Sequence, residues 1–210
     1  LPEVKLVQPR QYSLSAAPLC NKGLRISVKR VDGKDGVPAG LMSNHLHKCL
    51  KEGDTIDVSA PTGEFYLAEG ANPVILVAGG IGITPIFAML QQIAEKTPER
   101  PVTFVQVART GSELALVKEV RVEAAKLKNA CMATFITKPD EADKQIKCSC
   151  VKIGVRPTTE DIKALAPSAD ADAYICGPTA FMNDMRAALA EAGVPNERIH
   201  TEAFGTGNLT

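Results

Sequence analysis

The chain of 210 residues has no excess of charge of either sign, since it carries 24 acidic and 24 basic side chains. Nucleic acids and anionic membrane surfaces select proteins with a basic excess, so this balance gives no reason to expect either partner. Long apolar runs are also missing. No run approaches the ~20 residues that a membrane-spanning helix needs, so the sequence predicts no membrane span.

Metal ligands are scarce as well, and the histidines are only three, His45, His47 and His200. His45 and His47 lie two apart in a predicted helix, so they point to different faces and form a poor metal pair. Of the six cysteines only Cys148 and Cys150 are close, and no second pair follows at zinc-site spacing. We expect no metal site, and we expect free thiols in a reducing, cytoplasmic compartment.

The start of the chain, Leu1-Pro2-Glu3-Val4-Lys5, lacks the basic and apolar regions of a signal peptide. It also lacks an initiator methionine, which indicates a chain cut from something longer. We find no internal repeat and no low-complexity tract.

Residues 1–68 have the pattern of β-structure with one short helix, Leu41–Leu50, for which Ser43 is a candidate cap. Arg10–Ser15 is a candidate strand, and apolar and polar side chains alternate at period two, as in half-buried strands, over Gly23–Arg30 and Asp54–Ser59. We therefore predict an α+β domain built on a partial antiparallel β-barrel.

Residues 69–210 change pattern, because strands now alternate with helices. The strands are predicted at Val74–Ala78, Val102–Ala108, Met132–Thr137, Ala173–Cys176 and Ile199–Phe204. The helices are predicted at Pro85–Ala94, Glu113–Leu127, Thr159–Leu165 and Thr179–Ala192. This series predicts an α/β domain with a doubly wound parallel sheet, and polar residues 138–152 form a surface excursion. Ligands of such sheets bind at the carboxyl ends of strands near the switch in strand order.

The most informative motif joins a strand to a helix through Gly79-Gly80-Ile81-Gly82-Ile83-Thr84-Pro85. Glycine lets the backbone approach a diphosphate, and the amides of the first helical turn point at it. Thr84 is placed to cap the helix, and Pro85 suits its first position. The third glycine of the dinucleotide fingerprint is absent. The motif predicts a phosphate loop, with a purely structural strand-turn-helix as the alternative.

A second turn of the same kind is Tyr174-Ile175-Cys176-Gly177-Pro178-Thr179. In a doubly wound sheet the two turns can face each other across one crevice. Cys176 then stands at the carboxyl end of a strand, on the floor of that crevice. The alternative is a small buried cysteine of the core.

The third motif is Arg10-Gln11-Tyr12-Ser13. On a strand Arg10 and Tyr12 share a face, so the guanidinium can pair with a phosphate while the phenol packs on a flat ring. Ser13 points the other way, toward the edge of such a ring. An ordinary surface strand is the alternative.

Two further sets complete the candidates. Ser43 and Asn44 begin a helix whose first amides suit a phosphate, although an ordinary N-cap explains Ser43 equally well. Glu202 and Phe204 leave the last strand, where they either reach the crevice or end in a frayed terminus.

Taken in order, these motifs resemble the ferredoxin–NADP reductase superfamily, and most closely the reductase half of the flavohemoglobins. The residues that carry the resemblance are Arg10-Gln11-Tyr12-Ser13, Ala39-Gly40-Leu41-Met42-Ser43-Asn44-x-Leu46-His47, Ala60-Pro61-x-Gly63-x-Phe65, Gly79-Gly80-Ile81-Gly82-x-Thr84-Pro85, Cys176-Gly177-Pro178-x-x-Phe181-Met182 and Ile199-His200-x-Glu202-x-Phe204-Gly205.

The resemblance implies an FAD-binding domain followed by an NAD(P)-binding domain. It assigns the FAD phosphates to Arg10, Gln11, Ser43 and Asn44, and the flavin ring to Tyr12, Ser13, Glu202, Phe204, Gly205, Thr206 and Gly207. It assigns the NAD(P)H diphosphate to Gly79, Gly80, Ile81, Gly82, Ile83 and Thr84, and the nicotinamide to Cys176, Gly177 and Pro178. Tyr12, Ser13, Cys176 and Glu202 are the implied catalytic residues.

The implied activity is that of a nitric oxide dioxygenase reductase, in which NAD(P)H gives hydride to FAD and the electrons pass to a haem. That haem belongs to a globin domain that this chain lacks. Positioning of the two rings then dominates the hydride step. Two alternatives stay open: a reductase that serves an iron–sulfur oxygenase or a cytochrome, and a nucleotide-binding module without turnover.

The choice between NADH and NADPH depends on Arg109, which follows the second strand of the sheet. An acid at such a strand end favours NADH, whereas an arginine can serve a 2′-phosphate. The resemblance implies NADH. Only Leu1–Pro9 precedes the Arg10 strand, where the family has several strands, so we expect a fragment or a flavin domain with weakened FAD binding.

Overall fold

The computed structural model describes residues 9–18, 23–34, 36–165 and 168–203. Its strands are β1 Val74–Gly79, β2 Val102–Ala108, β3 Ala130–Ile136, β4 Val151–Ile153, β5 Asp172–Gly177 and β6 Ile199–Ala203. Its helices are α1 Leu41–Lys48, α2 Ile83–Lys96, α3 Val117–Ala124, α4 Thr159–Ala164 and α5 Thr179–Glu191. None of the helices in these ranges has the length and apolar character needed to cross a membrane.

The six strands form one parallel sheet in the order β4-β3-β2-β1-β5-β6. The chain runs outward from β1 to β4, returns, and adds β5 and β6 on the other side of β1. The prediction of a doubly wound parallel sheet is therefore confirmed. The switch in strand order lies between β1 and β5, which is where such sheets bind ligands.

Alternate residues of the central strands supply two cores, one on each face of the sheet. Val77 faces a cluster with Leu189 of α5, whereas Leu76 faces a cluster with Phe87 and Leu90 of α2. All six residues of β1 are buried. A parallel strand covered by helices on both faces reads as a continuous apolar run, which is why the sequence located this strand so clearly.

Two elements of the sheet domain differ from their predictions. The helix predicted at Glu113–Leu127 begins only at Val117, because Leu116 adopts a left-handed backbone with φ 58° that a helix cannot continue. Residues 138–152 are not wholly a surface excursion, since β4 lies at their end and pairs with β3. Val151 and Ile153 are half-buried around exposed Lys152, too short an alternation to stand out among polar neighbours.

The strands predicted in residues 1–68 do not form as ladders. In the part of this region that the structure describes, antiparallel pairing is limited to the isolated bridges Leu14–Ile26 and Lys34–Val37, and Asp54–Ser59 is exposed without strand pairing. A strand needs a neighbour for its N–H and C=O groups, and the alternating pattern alone does not supply one. The antiparallel barrel and the boundary between 1–68 and 69–210 stay predictions.

Candidate functional site

The first glycine turn lies at the carboxyl end of β1. Gly80 has φ +55°, in the region that favours glycine, and Gly82 is the N-cap of α2. A Cβ on Gly82 would lie 2.1 Å from the carbonyl oxygen of Cys176, and one on Gly79 would lie 2.6 Å from the Phe181 ring. The turn is therefore packed so tightly on β5 and α5 that only glycine fits.

Thr84 is not the helix cap that its position predicted. It lies inside the first turn of α2, where its hydroxyl donates to the Ile81 carbonyl oxygen at 3.2 Å. The cap falls on Gly82 because residues 80–82 form a short 3₁₀ turn that runs directly into the helix. Pro85 is accordingly the third helical residue, still within the first turn where its missing N–H costs nothing.

The second glycine turn touches the first. A Cβ on Gly177 would lie 3.1 Å from the Cα of Gly79 and 2.8 Å from the Phe181 ring. Pro178 is the N-cap of α5, so the N-termini of α2 and α5 converge at the carboxyl ends of β1 and β5. Helix N-termini carry partial positive charge and unpaired amides, which together attract an anion.

Cys176 is fully buried below this convergence, in the cluster that faces α2. Burial raises the pKa of its thiol, and the negative charge of Glu202 raises the pKa further. The thiol is therefore neutral at physiological pH, and it is part of the apolar packing beneath the two turns. The sequence alternative of a small buried cysteine describes its surroundings, and its place beside a nicotinamide stays a prediction.

Ser13 and Glu202 meet although they are 189 residues apart: the serine hydroxyl donates to the Glu202 Oε2 atom at 2.9 Å. Glu202 lies on β6 directly opposite Cys176 of β5. Tyr12, next to Ser13, is half-buried, and this burial raises the pKa of its phenol despite the opposing effect of Arg10. The Tyr12–Ser13 segment is therefore joined to the same carboxyl edge as the two glycine turns.

Ser43 is not the cap of α1, because Gly40 takes that position. The Ser43 hydroxyl donates to the Gly40 carbonyl oxygen at 3.1 Å and accepts from the Val31 amide at 3.2 Å. The side-chain amide of Asn44 donates to the Gly40 and Val31 carbonyl oxygens, both at 2.9 Å. Both side chains thus secure α1 to the preceding segment, and their predicted contacts with FAD stay predictions.

The remaining candidates lie at the surface. Arg10 and Gln11 are exposed, and the Arg10 guanidinium donates to the Pro9 carbonyl oxygen at 3.1 Å. Arg109 is exposed at the end of β2. Phe204, Gly205, Thr206 and Gly207 lie outside the described residues. Within 9–18, 23–34, 36–165 and 168–203 no three His, Cys, Asp or Glu side chains are grouped to hold a metal.

Two residues of the site region had no assigned role in the sequence. Phe181, in the first turn of α5, covers both Gly79 and Gly177. Asp143 binds the amide of Gly111 beyond the end of β2. The side chains of Asp140 and Asp143 each accept a hydrogen bond from the backbone amide of the other. The Asp-x-x-Asp spacing was the signal for this in the sequence, but it lay in the segment that was predicted as a surface excursion.

The geometry fits a dinucleotide. A diphosphate is bound by backbone amides, and the positive φ of Gly80 before the N-terminus of α2 suits that use. The Cβ positions of Gly79 and Gly82 are filled by Phe181 and by the Cys176 carbonyl oxygen, so these two glycines pack the turn against α5 and β5. The adjacent N-terminus of α5 adds a second set of amides. The site thus belongs to the class of nucleotide-binding α/β proteins.

Comparison with known proteins agrees. Residues 76–187 match the family model described as the oxidoreductase NAD-binding domain, and residues 5–66 match that of the oxidoreductase FAD-binding domain. A flavohemoprotein of Bordetella pertussis is 41% identical over 216 residues, which cover 100% of this chain and 51% of that protein. A flavohemoprotein of Chromobacterium violaceum is 42% identical over 202 residues, which cover 96% of this chain and 49% of that protein.

Solved structures give the same result. The flavohem-like FAD/NAD binding domain of a nitric oxide dioxygenase from Vibrio cholerae aligns with a TM-score of 0.79 and 33% identity, covering 93% of this chain and 77% of that chain. A flavohemoglobin from Malassezia yamatoensis with bound FAD and heme aligns with a TM-score of 0.73 and 29% identity, covering 94% and 47%.

The fold together with the two family models defines an oxidoreductase region with FAD-binding and NAD-binding domains. Within that class, the chain belongs to the flavohemoprotein family, whose reductase region it matches. The chain spans about half the length of the curated relatives, 51% of the Bordetella pertussis protein.

Proposed function

We propose that this chain is the reductase part of a nitric oxide dioxygenase that detoxifies nitric oxide in the cytoplasm. In this proposal NADH is the preferred donor, and the acceptor is a haem in a globin region of the same parent chain. The observation that carries the proposal is the hydrogen bond between Ser13 and Glu202. It joins the segment that matches an FAD-binding domain, residues 5–66, to β6, which pairs with β5 of the sheet whose residues 76–187 match an NAD-binding domain.

The nucleotide side of the proposal uses the two glycine turns. The run from Gly79 to Thr84 holds the diphosphate of NAD(P)H through backbone amides, and Phe181 closes the space below Gly79 and Gly177. Cys176, Gly177 and Pro178 border the nicotinamide. Because the Cys176 thiol is buried and neutral, it adds apolar packing that excludes water from that end of the site.

The flavin side uses residues 1–68, which we propose as a domain built on an antiparallel barrel. Tyr12 packs against the flavin ring, and Arg10, Gln11, Ser43 and Asn44 hold the FAD phosphates. Phe204, Gly205, Thr206 and Gly207 complete the flavin site. When bound, FAD accepts a hydride and returns the two electrons one at a time.

Ser13 and Glu202 are proposed to control a proton at the flavin edge. The Ser13 hydroxyl donates to Glu202, so the carboxylate orients a hydroxyl that is otherwise free to rotate. Glu202 is half-buried, which strengthens its interactions relative to those in water. Because its only proton lies on the bond to Glu202, the Ser13 hydroxyl presents its oxygen lone pairs to the flavin edge, where it is a hydrogen-bond acceptor in a defined position, and Glu202 adds a negative charge beside it.

Anaerobic addition of NADH to the FAD-loaded chain tests the proposal. We expect the flavin absorbance at ~450 nm to bleach, and haem reduction to follow when the globin region of a flavohemoprotein is supplied. Absence of NADH oxidation with FAD bound would contradict the reductase assignment. Bleaching without electron transfer to the globin haem would contradict the acceptor alone.

Gly82→Ala is the variant for this assay, since its Cβ would collide with the Cys176 carbonyl oxygen. We expect NADH affinity to fall at least ~10-fold, because backbone displacement in a packed turn costs about 1–3 kcal/mol. Gly53→Ala is the matched control. It introduces backbone strain at φ +92° but meets nothing within 4 Å, so NADH affinity is expected to stay unchanged.

A further inference from the structure

Asp143 is buried, with 4% exposure, in the short 3₁₀ turn that follows β3. Its two carboxylate oxygens lie 3.0 and 2.9 Å from the amide nitrogen of Gly111. A buried carboxylate is costly unless hydrogen bonds satisfy it. Here it accepts from a backbone amide in a different loop, so it links the connection after β3 to the connection after β2.

The carboxylate is itself held in place. The Asp140 amide donates to Asp143 Oδ2 at 3.0 Å, and the Asp143 amide donates to Asp140 Oδ1 at 2.8 Å. These two hydrogen bonds fix the Asp143 carboxylate within its own loop, independently of its contact with Gly111. Gly111 in turn must be glycine, because a Cβ there would lie 2.2 Å from Asp143 Oδ1.

The loop that Asp143 holds, residues 109–112, leaves the carboxyl end of β2. Its other contacts are also defined: the Lys138 amide donates to the Arg109 carbonyl oxygen at 2.7 Å, and the hydroxyls of Thr110 and Ser112 lie 2.9 Å apart. These two hydroxyls and the Arg109 side chain are polar groups at the surface of the loop. Their positions depend on the backbone that the Gly111 amide anchors.

The loop 109–112 lies beside the proposed diphosphate turn. β2 is the neighbour of β1 on the side away from β5, and β1 ends in the proposed diphosphate turn. In a doubly wound sheet, a dinucleotide whose diphosphate lies on the turn after β1 extends its adenosine over the end of the adjacent strand. An adenosine in that direction meets residues 109–112.

We propose that Asp143 is a positioning residue for NAD(P)H: it fixes the loop 109–112 in the shape that receives the adenosine ribose. This inference rests on the proposed binding of NAD(P)H at the Gly79–Thr84 turn. It assigns Asp143 to the adenosine half of the nucleotide and gives it no part in the hydride step.

Asp143→Asn tests the inference, because an amide keeps the shape but turns one acceptor into a donor that faces an N–H group. We expect KM for NADH to rise about 10-fold with kcat changed less than about 2-fold. Reduced nicotinamide mononucleotide, which lacks the adenosine half, is the second substrate. Its kcat/KM is expected to be the same in the variant and the wild type.

Glu141→Gln is the matched control, since this exposed carboxylate in the same loop pairs with Lys144 and lies outside the Asp143–Gly111 contact. It should leave both substrates unaffected. Gly111→Ala approaches the same contact from the other side and should reproduce the NADH effect. It serves as the test if Asp143→Asn fails to fold.

Equal losses with NADH and with the mononucleotide would overturn the inference, because Asp143 would then support the fold rather than the adenosine half. An unchanged KM for NADH in both variants would also overturn it. A titration that measures NADH binding in the absence of turnover distinguishes a failure of this inference from a failure of the proposed function. A wild-type chain that binds NADH but does not oxidise it contradicts the reductase proposal, and the role of Asp143 is then decided by a Kd change of about 10-fold.

Discussion

Residues 9–68 and residues 69–203 differ in how they bury their apolar side chains. Among the described residues of the first region, the buried hydrophobic side chains are only Ala17 and Leu67. Large hydrophobic side chains are instead exposed there, namely Leu24, Ile26, Val31, Val37, Leu41, Ile56, Val58 and Tyr66. In the second region the exposed ones are Val122, Ile146 and Val155. The sheet region therefore carries its own core, and the first region does not.

The first region is instead held by individual contacts with the sheet region. The Ala17 amide donates to the Gln91 side chain of α2 at 2.9 Å, and the Arg25 guanidinium lies 5.4 Å from the centre of the Phe87 ring. Such contacts are worth about 1 kcal/mol each, less than a buried aliphatic side chain contributes. The difference teaches that the sheet region holds nearly all of the described core, to which the first region adds Leu67 and the neighbouring Phe65, so the described part of the first region is ordered mainly by its contacts with the sheet region.

The same substitution in the two regions gives the largest expected contrast. Leu90→Ala removes a side chain with no exposure in the α2 core, and we expect the free energy of unfolding to fall by about 2–5 kcal/mol. Leu24→Ala removes one that is 60% exposed, and the expected change is within about 0.5 kcal/mol. Urea unfolding of both variants measures the contrast. Equal destabilisation would show that the first region has a core of its own.

The junction between the regions gives the next effect. Arg100 is buried, and its guanidinium donates to the carbonyl oxygens of Asn72 at 2.6 Å and Ala68 at 3.1 Å. Asp172 lies 3.6 Å away, and burial lowers the pKa of Arg100 against the opposing charge of this carboxylate. Arg100→Ala leaves the carbonyl oxygens of Asn72 and Ala68 without their hydrogen-bond donor. We therefore expect the free energy of unfolding to fall by about 2–3 kcal/mol.

Arg30→Ala is the control for that measurement, since Arg30 pairs with Asp32 at 3.0 Å with both side chains exposed. Exposed pairs of this kind contribute about 0–1 kcal/mol. Denaturant unfolding of the two arginine variants compares a buried junction with a surface pair. A loss for Arg100→Ala no larger than that for Arg30→Ala would mean that the junction does not depend on this guanidinium.

The smallest effect lies within the sheet region and depends on pH. Asp161 forms a capping box with Thr158 at the start of α4 and pairs with Lys152 of β4. Burial alone would raise the pKa of Asp161, but the hydrogen bonds from Lys152 and Thr158 lower it further than burial raises it. The folded-state pKa is therefore below the unfolded value of about 3.9.

The sign of the effect follows from that shift. The stabilisation is fully present above a pH of about 4 and is lost as the pH falls through the lower, folded-state pKa. Asp161→Asn should therefore cost about 1 kcal/mol at neutral pH, with the difference from wild type shrinking in acid. Unfolding curves at pH 7 and below pH 4 check this. A difference that stays constant across both conditions would assign the effect to shape rather than charge.

The central elements of the sheet region were largely predictable, because β1 is a continuous buried apolar run and helices such as α2 have a buried stripe, whereas the short β4 was missed. Predicted and observed bounds of α5 differ by one residue, Ala192 against Glu191. The caps were less predictable. Ser43 and Thr84 are residue types that favour N-caps, but glycines three and two positions earlier took the cap positions because the incoming backbone turned there first.

The motifs of the candidate site were predictable from the sequence, but the contacts between residues of different motifs were not. A glycine run after one apolar strand predicts a phosphate loop, and the single Gly177 after another predicts a second strand-to-helix turn, because glycine permits a close approach of ligand and backbone. Contacts such as Ser13 with Glu202 join positions 189 residues apart, and Asp143 lay in a polar segment without a periodic pattern. No local pattern encodes such pairs.

The sequence by itself determined five of the six strands of the parallel sheet, most of its helical residues and the two glycine turns, because hydrophobic periodicity and backbone freedom are properties of neighbouring residues. Tertiary structure alone decided that Gly79 packs against Gly177, that the Cys176 thiol is sealed from solvent, and that Asp143 anchors Gly111. The physical reason is that these contacts arise from strand order and from helix packing. Both depend on the whole chain having closed around its two cores.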